Sequence, residues 1–542
     1  MRPLDLSTLA LSSFPGLVCG AWSGWGGTLL NNHWAQTNTA ISSSNIALVT
    51  QHCKIADTNG QSSPPTIWGD FAYYPTWNGS FIALNYKTCQ IKWSINVSQI
   101  IANYAPLTPL QTFTTTSTSR TSPQIDPDNN VIFFATQAHA LIVAVDLRNG
   151  AILAQKQVNP HPHATITASP TFYNNLLIVG VASGEENAAF FAGLIGVPYE
   201  CCDFIGNAAA FRFTRAGSTG PGTFTTVWNV TTIPTNLTLD GTGRWSGAGI
   251  WGGQPTIDTG RRQVIFATGN TYSIPASYIP CSQLDTPGCL PEYIWQEAVF
   301  ALDIYTGRTN WVRRLNKLDA WTLVCGSITL PRNETLCPQK PGNDSDFGMA
   351  PALTLGSKYT PRGKDILTVG QKTGVLYGLS PDNGRIQWAT LTSPGDALAG
   401  LSWGVAADDK RVYFTGINNG NAPWVLQPGN TQTVTNSLFG AASLLDGSIV
   451  WETAAPNSNL SIVIPAVVGD LLLTGATGPY AFSSPGPGTL IALKKATGQI
   501  VFEQTLDGPF QGAIAVHDKY IFLGTGYKGG TGGSFYVFKL GS

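Results

Sequence analysis

The chain has 542 residues, of which 59 are glycine and only 11% are charged, so it is too long for one small core. Lys and Arg together number 30 against 31 for Asp and Glu, which gives a formal net charge of -1. This balance provides no basic stripe for nucleic acid, and no apolar run is long enough to span a bilayer. We therefore expect a monomer that acts on a small-molecule substrate, without a nucleic-acid or membrane partner.

The first twenty residues fit a secretory signal. Arg2 supplies the positive end, an interrupted apolar stretch runs from Leu4 to Val18, and small residues precede a cut near Ala21. The predicted division is a signal peptide over 1–20 and one propeller domain over 21–542, in a protein that is secreted or lumenal. Seven sequons would then be glycosylation sites, at Asn78, Asn96, Asn229, Asn236, Asn333, Asn343 and Asn459.

A short unit recurs along the chain: an apolar strand, a tight turn ending in Gly, and a second strand carrying Trp or Phe. It is clearest over Phe300–Trp311, Tyr377–Trp388, Ala441–Trp451 and Ile491–Phe502. A two-strand unit cannot bury its own apolar face, so repetition indicates the stacked blades of a β-propeller. We count eight blades, with terminal hairpins near residues 82–94, 141–154, 208–229, 298–312, 375–389, 438–452, 489–503 and 534–540.

The last predicted strand, Ser534 to Leu540, has no following partner in the sequence. The stretch after Gly27 is its natural mate, and this pairing would close the ring and remove a free sheet edge. The repeated Trp93, Trp311, Trp388 and Trp451 are expected to pack between blades.

Cysteine usage indicates an oxidising compartment. Of nine cysteines, Cys19 lies in the predicted leader and the other eight fall into nearby pairs. An even number in local pairs predicts four disulfides and favours them over a zinc site. The expected bridges are Cys53–Cys89, Cys201–Cys202, Cys281–Cys289 and Cys325–Cys337.

An ordered set of segments carries a family resemblance. It includes WSGWGGTLLNNHWAQ, HPHATITASPTF, GVASGEE, YECCDFIGNAAAF, WGGQPTID, ATGNTYS, LDAWTLVC, DFGMAPAL, VGQKTGVLYGLSPDNG and LSWGVAAD. The chain resembles the quinoprotein alcohol dehydrogenase propellers, most closely the polyvinyl-alcohol-dehydrogenase-like branch, over nearly its whole length after the leader. The resemblance implies an all-β fold, an eight-bladed β-propeller with long disulfide-anchored loops.

The resemblance also implies a central pocket. Glu185 and Asn270 match calcium ligands, Trp251 matches the residue that stacks on pyrroloquinoline quinone, and Lys372 matches a residue that contacts the quinone. Arg120, His161 and His163 resemble pocket-rim groups, while Cys201–Cys202 resembles the vicinal disulfide of these enzymes. Trp403, like Trp251, follows a break and precedes Gly, so a pocket role is weighed against packing.

Two departures favour a different chemistry. Thr322 stands where methanol-dehydrogenase-like members have an Asp, and Asp319 does not align with that catalytic base. No haem-attachment motif supplies an electron acceptor. A propeller that lacks the catalytic base of alcohol oxidation suggests that the fold serves another reaction. The glycosylated fungal hetero-Diels–Alderases of tropolone-sesquiterpenoid biosynthesis are a group that this reading resembles.

The predicted reaction is therefore a cofactor-free cycloaddition joining a quinone methide to a cyclic terpene alkene. Arg120, Lys372 or His161 would donate to the developing oxyanion. The substrate would be bound by Trp251, Trp403, Asp319, Thr322 and His163. The first alternative is an alcohol dehydrogenase dependent on pyrroloquinoline quinone and on calcium held by Glu185 and Asn270. The second is a non-catalytic binding propeller.

Overall fold

The computed structural model describes residues 22–541 except for 236–242, 285, 327–336, 339, 430–431, 480–485 and 529–531. The predicted signal peptide, Cys19, Asn236 and Asn333 lie outside the described residues. The described residues form eight sheets, each with an antiparallel core of four strands, that follow one another along the chain as the blades of a propeller; two of the sheets carry a fifth short strand. The eight-bladed all-β prediction is confirmed.

Each predicted terminal hairpin corresponds to the outer pair of strands of a blade. Blade 1 consists of the strands Thr66–Trp68, Phe71–Pro75, Ser80–Asn85 and Gln90–Asn96. Blade 2 consists of Gln124–Asp126, Val131–Ala135, Leu141–Asp146 and Ile152–Gln157, and blade 3 of Thr171–Tyr173, Leu176–Ser183, Asn207–Arg215 and Gly222–Thr231. Blade 4 consists of Thr256–Asp258, Gln263–Ala267, Ala298–Asp303 and Thr309–Arg314. Blade 5 consists of Ala352–Thr354, Ile366–Gly370, Val375–Leu379 and Ile386–Leu391. Blade 6 consists of Ala406–Ala407, Arg411–Gly416, Leu438–Ser443 and Ile449–Ala454. Blade 7 consists of Ala466–Val468, Leu471–Ala476, Thr489–Lys494 and Ile500–Thr505.

Blade 8 closes the ring with strands from both ends of the described chain. Its first three strands are Ala515–His517, Tyr520–Gly524 and Gly533–Leu540, and its outer strand is Val49–Asp57. The last two strands pair in antiparallel register from Val49 opposite Leu540 to Asp57 opposite Gly533. The predicted closure by an N-terminal strand is confirmed, although the strand begins at Val49 and not directly after Gly27, and the terminal strand has no free edge.

A repeated Trp–Gly contact fastens five of the blades to the blade that follows. The indole N–H of Trp388 donates to the carbonyl of Leu444 at 2.9 Å, and a Cβ at Gly447 would lie 2.5 Å from its ring. Gly447 also has φ +74°, a conformation that side chains other than Gly rarely adopt. Trp93, Trp228, Trp311 and Trp451 make the same contact with Gly150, Gly307, Gly384 and Gly498. The inter-blade role expected for these Trp residues is what the structure shows.

The segment over residues 22–35, which we call the axial plug, runs past the innermost strands of five blades. Its backbone carbonyls at Trp22, Leu29, Leu30, Asn32 and His33 accept from the N–H groups of Ile67, Ile257, Leu353, Ala407 and Val467. Its last two residues, Trp34–Ala35, add a parallel strand to blade 7. Because the plug bonds to inner strands around the ring, it covers the central channel at that level.

Helices are few and short in the described chain. They are α1 (Val97–Tyr104), α2 (Gln111–Thr114), α3 (Glu185–Ile195) and α4 (Ile279–Gln283). Single 3-10 turns occur at Ile46–Leu48, Ala138–Ala140, Ala276–Tyr278, Leu323–Cys325, Pro361–Gly363 and Pro456–Ser458. Five further short strands lie outside the blade cores: Ala164–Thr165 beside blade 3, and two ribbons formed by Ser246–Gly247 with Thr271–Ser273 and by Trp424–Val425 with Thr433–Val434. None of the described helices has the length and apolar character needed to cross a membrane.

Candidate active site

A narrow cavity adjoins the axial plug. Its lining consists of Trp25, Ser62, Arg120, Trp403, Ile462, Ile464, Gln511 and Tyr527. The guanidinium of Arg120 lies over the Trp403 ring at 5.2 Å, and Trp403 meets Trp251 edge to face at 5.3 Å. The ammonium of Lys372 lies 5.1 Å from the Trp251 ring. The structure thus brings together four of the residues expected at the pocket, namely Arg120, Trp251, Lys372 and Trp403.

Asp346 contacts Trp251 and is held by several hydrogen-bond donors. The indole N–H of Trp251 donates to its Oδ2 at 2.9 Å, and the backbone N–H of Asn270 donates to its Oδ1 at 2.6 Å. Lys372 Nζ lies 3.1 Å from Asp346 Oδ2 and 2.7 Å from Asp344 Oδ1. Both aspartates and Lys372 are buried. Asp346 is therefore a fixed carboxylate at the centre of the site, with an ammonium beside it.

Glu186, in the first turn of α3, completes an acidic cluster with Asp344 and Asp346. One carboxylate oxygen from each of the three lies within 4.8 Å of the others. Burial and the negative charge of Asp346 raise the pKa of Glu186 to about 8. Burial is also the main reason why the pKa of Asp344 lies well above its usual range. Three carboxylates and the Lys372 ammonium leave two negative charges when all are ionised, which suits a divalent cation with oxygen ligands.

Glu185, the residue expected to bind calcium, faces the loop that carries Cys201 and Cys202. Its Oε1 accepts from the Tyr199 hydroxyl at 2.6 Å and from the Asp203 backbone N–H at 2.9 Å. Its Oε2 accepts from the Phe204 backbone N–H at 2.9 Å. With both oxygens engaged, Glu185 anchors this loop, and its neighbour Glu186 occupies the position in the acidic cluster. Asn270 does lie at the cluster, through its backbone N–H.

His161 and His163 support the same loop. His161 Nε2 lies 2.9 Å from Asp203 Oδ1 and 3.6 Å from Glu185 Oε1, while its Nδ1 accepts from the His163 backbone N–H. In the neutral ring, an accepting Nδ1 places the proton on Nε2, where it donates to Asp203. This tautomer disfavours a metal at His161, Glu185 and Asp203, although their ligand atoms are close enough. Burial lowers the pKa of His163 to about 4, and its Nδ1 lies 3.2 Å from the Thr114 hydroxyl.

Thr322 and Asp319 occupy buried positions behind the acidic cluster. The Thr322 hydroxyl has no hydrogen-bond partner, and Asp319 Oδ2 accepts from the Ser345 backbone N–H at 3.0 Å. Asp346 is a buried carboxylate of the site that the sequence comparison at Thr322 did not reveal. Asp346 opens the DFGMAPAL segment, and the Asp344-Ser345-Asp346 spacing was the available signal.

All four expected disulfides are present: Cys53–Cys89, Cys201–Cys202, Cys281–Cys289 and Cys325–Cys337. Cys201 and the bridge between Cys325 and Cys337 pack into one apolar cluster with Phe190 of α3 and Tyr199. The long loops that contain them are thereby joined to the helix that begins at Glu185 and Glu186.

Trp251, Lys372 and Asp346 converge in an eight-bladed propeller, and the solved structures compared below share this quinoprotein alcohol dehydrogenase-like fold. Residues 436–538 match the family model described as outer membrane protein assembly factor BamB. Two curated relatives are polyvinylalcohol dehydrogenases. The one from Pseudomonas sp is 27% identical over 518 residues, covering 94% of this chain and 70% of the relative. The one from Sphingopyxis sp. (strain 113P3) is 28% identical over 76% of this chain and 57% of the relative.

Solved structures share the fold. The quinohemoprotein alcohol dehydrogenase from Comamonas testosteroni matches with a TM-score of 0.68 at 13% identity, over 96% of this chain and 81% of that one. A europium-containing methanol dehydrogenase matches with a TM-score of 0.65 at 16% identity, over 97% and 99% of the two chains. At these identities the likeness establishes architecture alone.

The predicted cycloaddition function is wrong. The curated relatives are named polyvinylalcohol dehydrogenases, and the site contains a buried carboxylate at Asp346 besides the position of Thr322. The expectation of a cofactor-free reaction depended on the cycloaddition prediction and is not supported either. Relatives that are enzymes also support an enzyme over a non-catalytic binding propeller.

Proposed function

We propose that this protein oxidises an alcohol with bound pyrroloquinoline quinone and a divalent cation such as calcium. The observation that carries the proposal is the position of Asp346. It is buried, bonded to Trp251 and Asn270, ion-paired with Lys372, and close to a second and a third carboxylate. A base, a cation site and an aromatic face are thus adjacent.

The cavity side chains fit a flat, polyanionic cofactor. Arg120 makes no ion pair with a carboxylate among the described residues, although it is partly buried against Trp403. The Trp25 indole N–H and both amide atoms of Gln511 are buried without hydrogen-bond partners. The carboxylate and carbonyl oxygens of a ligand would accept hydrogen bonds from the Trp25 and Gln511 N–H groups. A ligand carboxylate would also form an ion pair with the Arg120 guanidinium. Trp251 and Trp403 offer aromatic surface for a planar ring.

The cation would be held by Glu186, Asp344 and Asp346. Oxygen ligands of this kind suit calcium, which accepts six to eight of them. In the absence of a cation, the proton on Glu186 reduces repulsion among the three carboxylates. A divalent cation would replace that proton and balance the remaining charge.

When bound in the cavity, the quinone would accept the hydride that leaves the alcohol carbon. The chain's own contribution is to hold the base. The Asp346 carboxylate accepts the hydroxyl proton of the substrate, which general base catalysis requires as the hydride leaves. Asp344 and Asp346 raise the pKa of Lys372 above its usual range despite its burial, so Lys372 stays charged beside Asp346.

The relatives' printed name supports a secondary alcohol, such as those along polyvinyl alcohol, as the substrate class. The setting proposed is a secreted or lumenal monomer with a cleaved signal peptide, and the four disulfides support an oxidising compartment. Asn78, Asn96, Asn229 and Asn343 are exposed and Asn459 is half-buried, so these sequons are open to the glycosylation we propose.

Reconstitution tests the proposal. Purified protein loaded with calcium and pyrroloquinoline quinone should reduce a dye when given a secondary alcohol or polyvinyl alcohol. Asp346→Asn should lower kcat by about 100-fold or more, because the base is lost. Thr322→Val is the matched control and should keep activity, because the Thr322 hydroxyl bonds to nothing among the described residues. Quinone binding without turnover of any alcohol, or full activity in Asp346→Asn, would overturn the proposal.

A further inference from the structure

Two buried carboxyl groups lie behind the acidic cluster and each has one oxygen without a donor. Glu297, at the start of blade 4's third strand, is 0% exposed, and Asp319 is 4% exposed. Glu297 Oε1 and Asp319 Oδ1 are both buried and unpartnered. The two side chains are nevertheless within hydrogen-bonding reach of each other. Two ionised carboxylates cannot bond to each other, because neither carries a hydrogen.

The remaining oxygen of each carboxyl group has a donor from the chain. The Asn316 side-chain amide donates to Glu297 Oε2, and the Ser345 backbone N–H donates to Asp319 Oδ2. The Asp319 backbone N–H is itself bonded to Gln296 Oε1 at 3.1 Å. The oxygens of the pair that lack a donor are therefore Glu297 Oε1 and Asp319 Oδ1. One proton at that position would satisfy both oxygens at once.

We propose that Glu297 and Asp319 share one proton, and that this acid pair is a positioning device for Asp346. In this arrangement the Glu297 hydroxyl donates to Asp319, and Asp319 holds the Ser345 N–H between Asp344 and Asp346. The sharing of the proton rests on the two unpartnered oxygens and on the side-chain hydrogen bond between the residues, whereas its value for catalysis rests on the proposed function.

The charges around the pair favour a retained proton. The groups facing it are Asp346, Glu186 beyond it, and Tyr377 on blade 5. The Lys372 ammonium is engaged with Asp344 and Asp346. Burial and the neighbouring Asp319 carboxyl keep the pKa of Glu297 well above its usual range. A neutral Glu297 also adds no further buried negative charge next to the acidic cluster.

Infrared difference spectroscopy of the full-length protein tests the shared proton directly. The spectrum of the unmutated protein minus that of Glu297→Gln at pH 9 should show the carbonyl stretch of a protonated carboxylic acid. At that pH most Glu186 is ionised, since its pKa is about 8. The band should shift in deuterium oxide. A difference spectrum without a protonated carboxyl band would overturn the proposal, whatever the enzyme's activity.

The positioning role has its own comparison. Gln at position 297 can donate an amide N–H to Asp319 Oδ1, whereas Met fills a similar volume without a donor. Glu297→Gln should bind calcium as the unmutated protein does, and Glu297→Met should bind about tenfold more weakly, since Asp319 is left with a buried unpaired oxygen. The thermal unfolding midpoint should follow the same order. Equal behaviour of the two variants in both measurements would exclude the positioning role, and failure of calcium to bind even the unmutated protein would count against the proposed function instead.

Discussion

At the residue scale, the adjacent Glu185 and Glu186 at the N-terminus of α3 make two different sets of contacts. The first two residues of α3 point their carboxyl groups to different partners. Glu185 accepts three hydrogen bonds from the loop over 199–204, and Glu186 joins Asp344 and Asp346. Acidic side chains in a helix's first turn are also favoured by the helix dipole. Anchoring and cation binding are thus separable by mutation of neighbouring residues.

Glu186→Gln should weaken calcium binding at least tenfold, because an anionic ligand becomes a neutral one. Glu185→Gln is the matched variant and should leave calcium affinity nearly unchanged. It should instead lower the free energy of unfolding by about 1–3 kcal/mol, because an amide nitrogen replaces an accepting oxygen in a buried network. Isothermal calorimetry with calcium and denaturant unfolding measure the two effects. A loss of calcium affinity in Glu185→Gln alone would reverse this assignment.

Calcium affinity should depend on pH because Glu186 is protonated in the empty site. Its pKa is raised to about 8, so at neutral pH the cation must displace a proton. Affinity should rise by up to about tenfold per pH unit below pH 8 and level off above it. Titrations with calcium between pH 6 and 9, repeated on Glu186→Gln, would check this. A flat profile in the unmutated protein would show that Glu186 is not displaced.

At the element scale, the axial plug contains a buried histidine, His33, whose protonation is unfavourable in the folded protein. His33 is buried, its Nδ1 lies 3.0 Å from the Val405 carbonyl, and its Nε2 has no partner. Burial lowers the pKa of His33 to about 4. Protonation would place an unpaired cation among the inner strands that the plug holds together.

Acid should therefore weaken the plug. The folded pKa of His33 is below its unfolded value of 6.5, so its contribution to stability is present above that value and is lost as pH falls toward 4. The loss amounts to about 3 kcal/mol. His33→Asn keeps an amide donor for the Val405 carbonyl and suits the positive φ at this position, but it does not titrate. Unfolding midpoints measured from pH 7 to 4 should fall more steeply in the unmutated protein than in His33→Asn, and parallel curves would contradict the assignment.

The blades could be predicted from the sequence far better than the site. Each repeated Trp meets a turn Gly of the next blade, so the contact that builds the fold recurs at a readable spacing. The site depends on residues from separate loops, and their convergence follows no repeat. Glu186, Asn270 and Asp346 come from three separate parts of the chain and meet only in the folded structure. Chain order alone could therefore not reveal Asp346, for which we propose the role of base.

At the scale of the whole molecule, the ring is closed by bonds that join the two ends of the described chain. The outer strand of blade 8, Val49–Asp57, comes from the N-terminal side, and every other strand of that blade comes from the C-terminal side. Cys53 on this strand is bridged to Cys89, which lies in the turn before the outer strand of blade 1. The bridge therefore ties blade 8 to blade 1 at the point where the ring closes.

Removing that bridge should loosen the closure more than removing a bridge within one loop. Cys53 and Cys89 are separated by 36 residues, and Cys281 and Cys289 by 8. The loop-entropy model assigns about 4 kcal/mol to the first bridge and about 2–3 kcal/mol to the second. Cys53→Ser with Cys89→Ser should also raise hydrogen exchange along Val49–Asp57 and Gly533–Leu540, because the paired strands lose their tie to blade 1. Cys281→Ser with Cys289→Ser is the control and should leave exchange in those strands unchanged. Equal exchange in the two double variants would mean that the antiparallel pairing alone closes the ring, with the disulfide acting only on the unfolded chain.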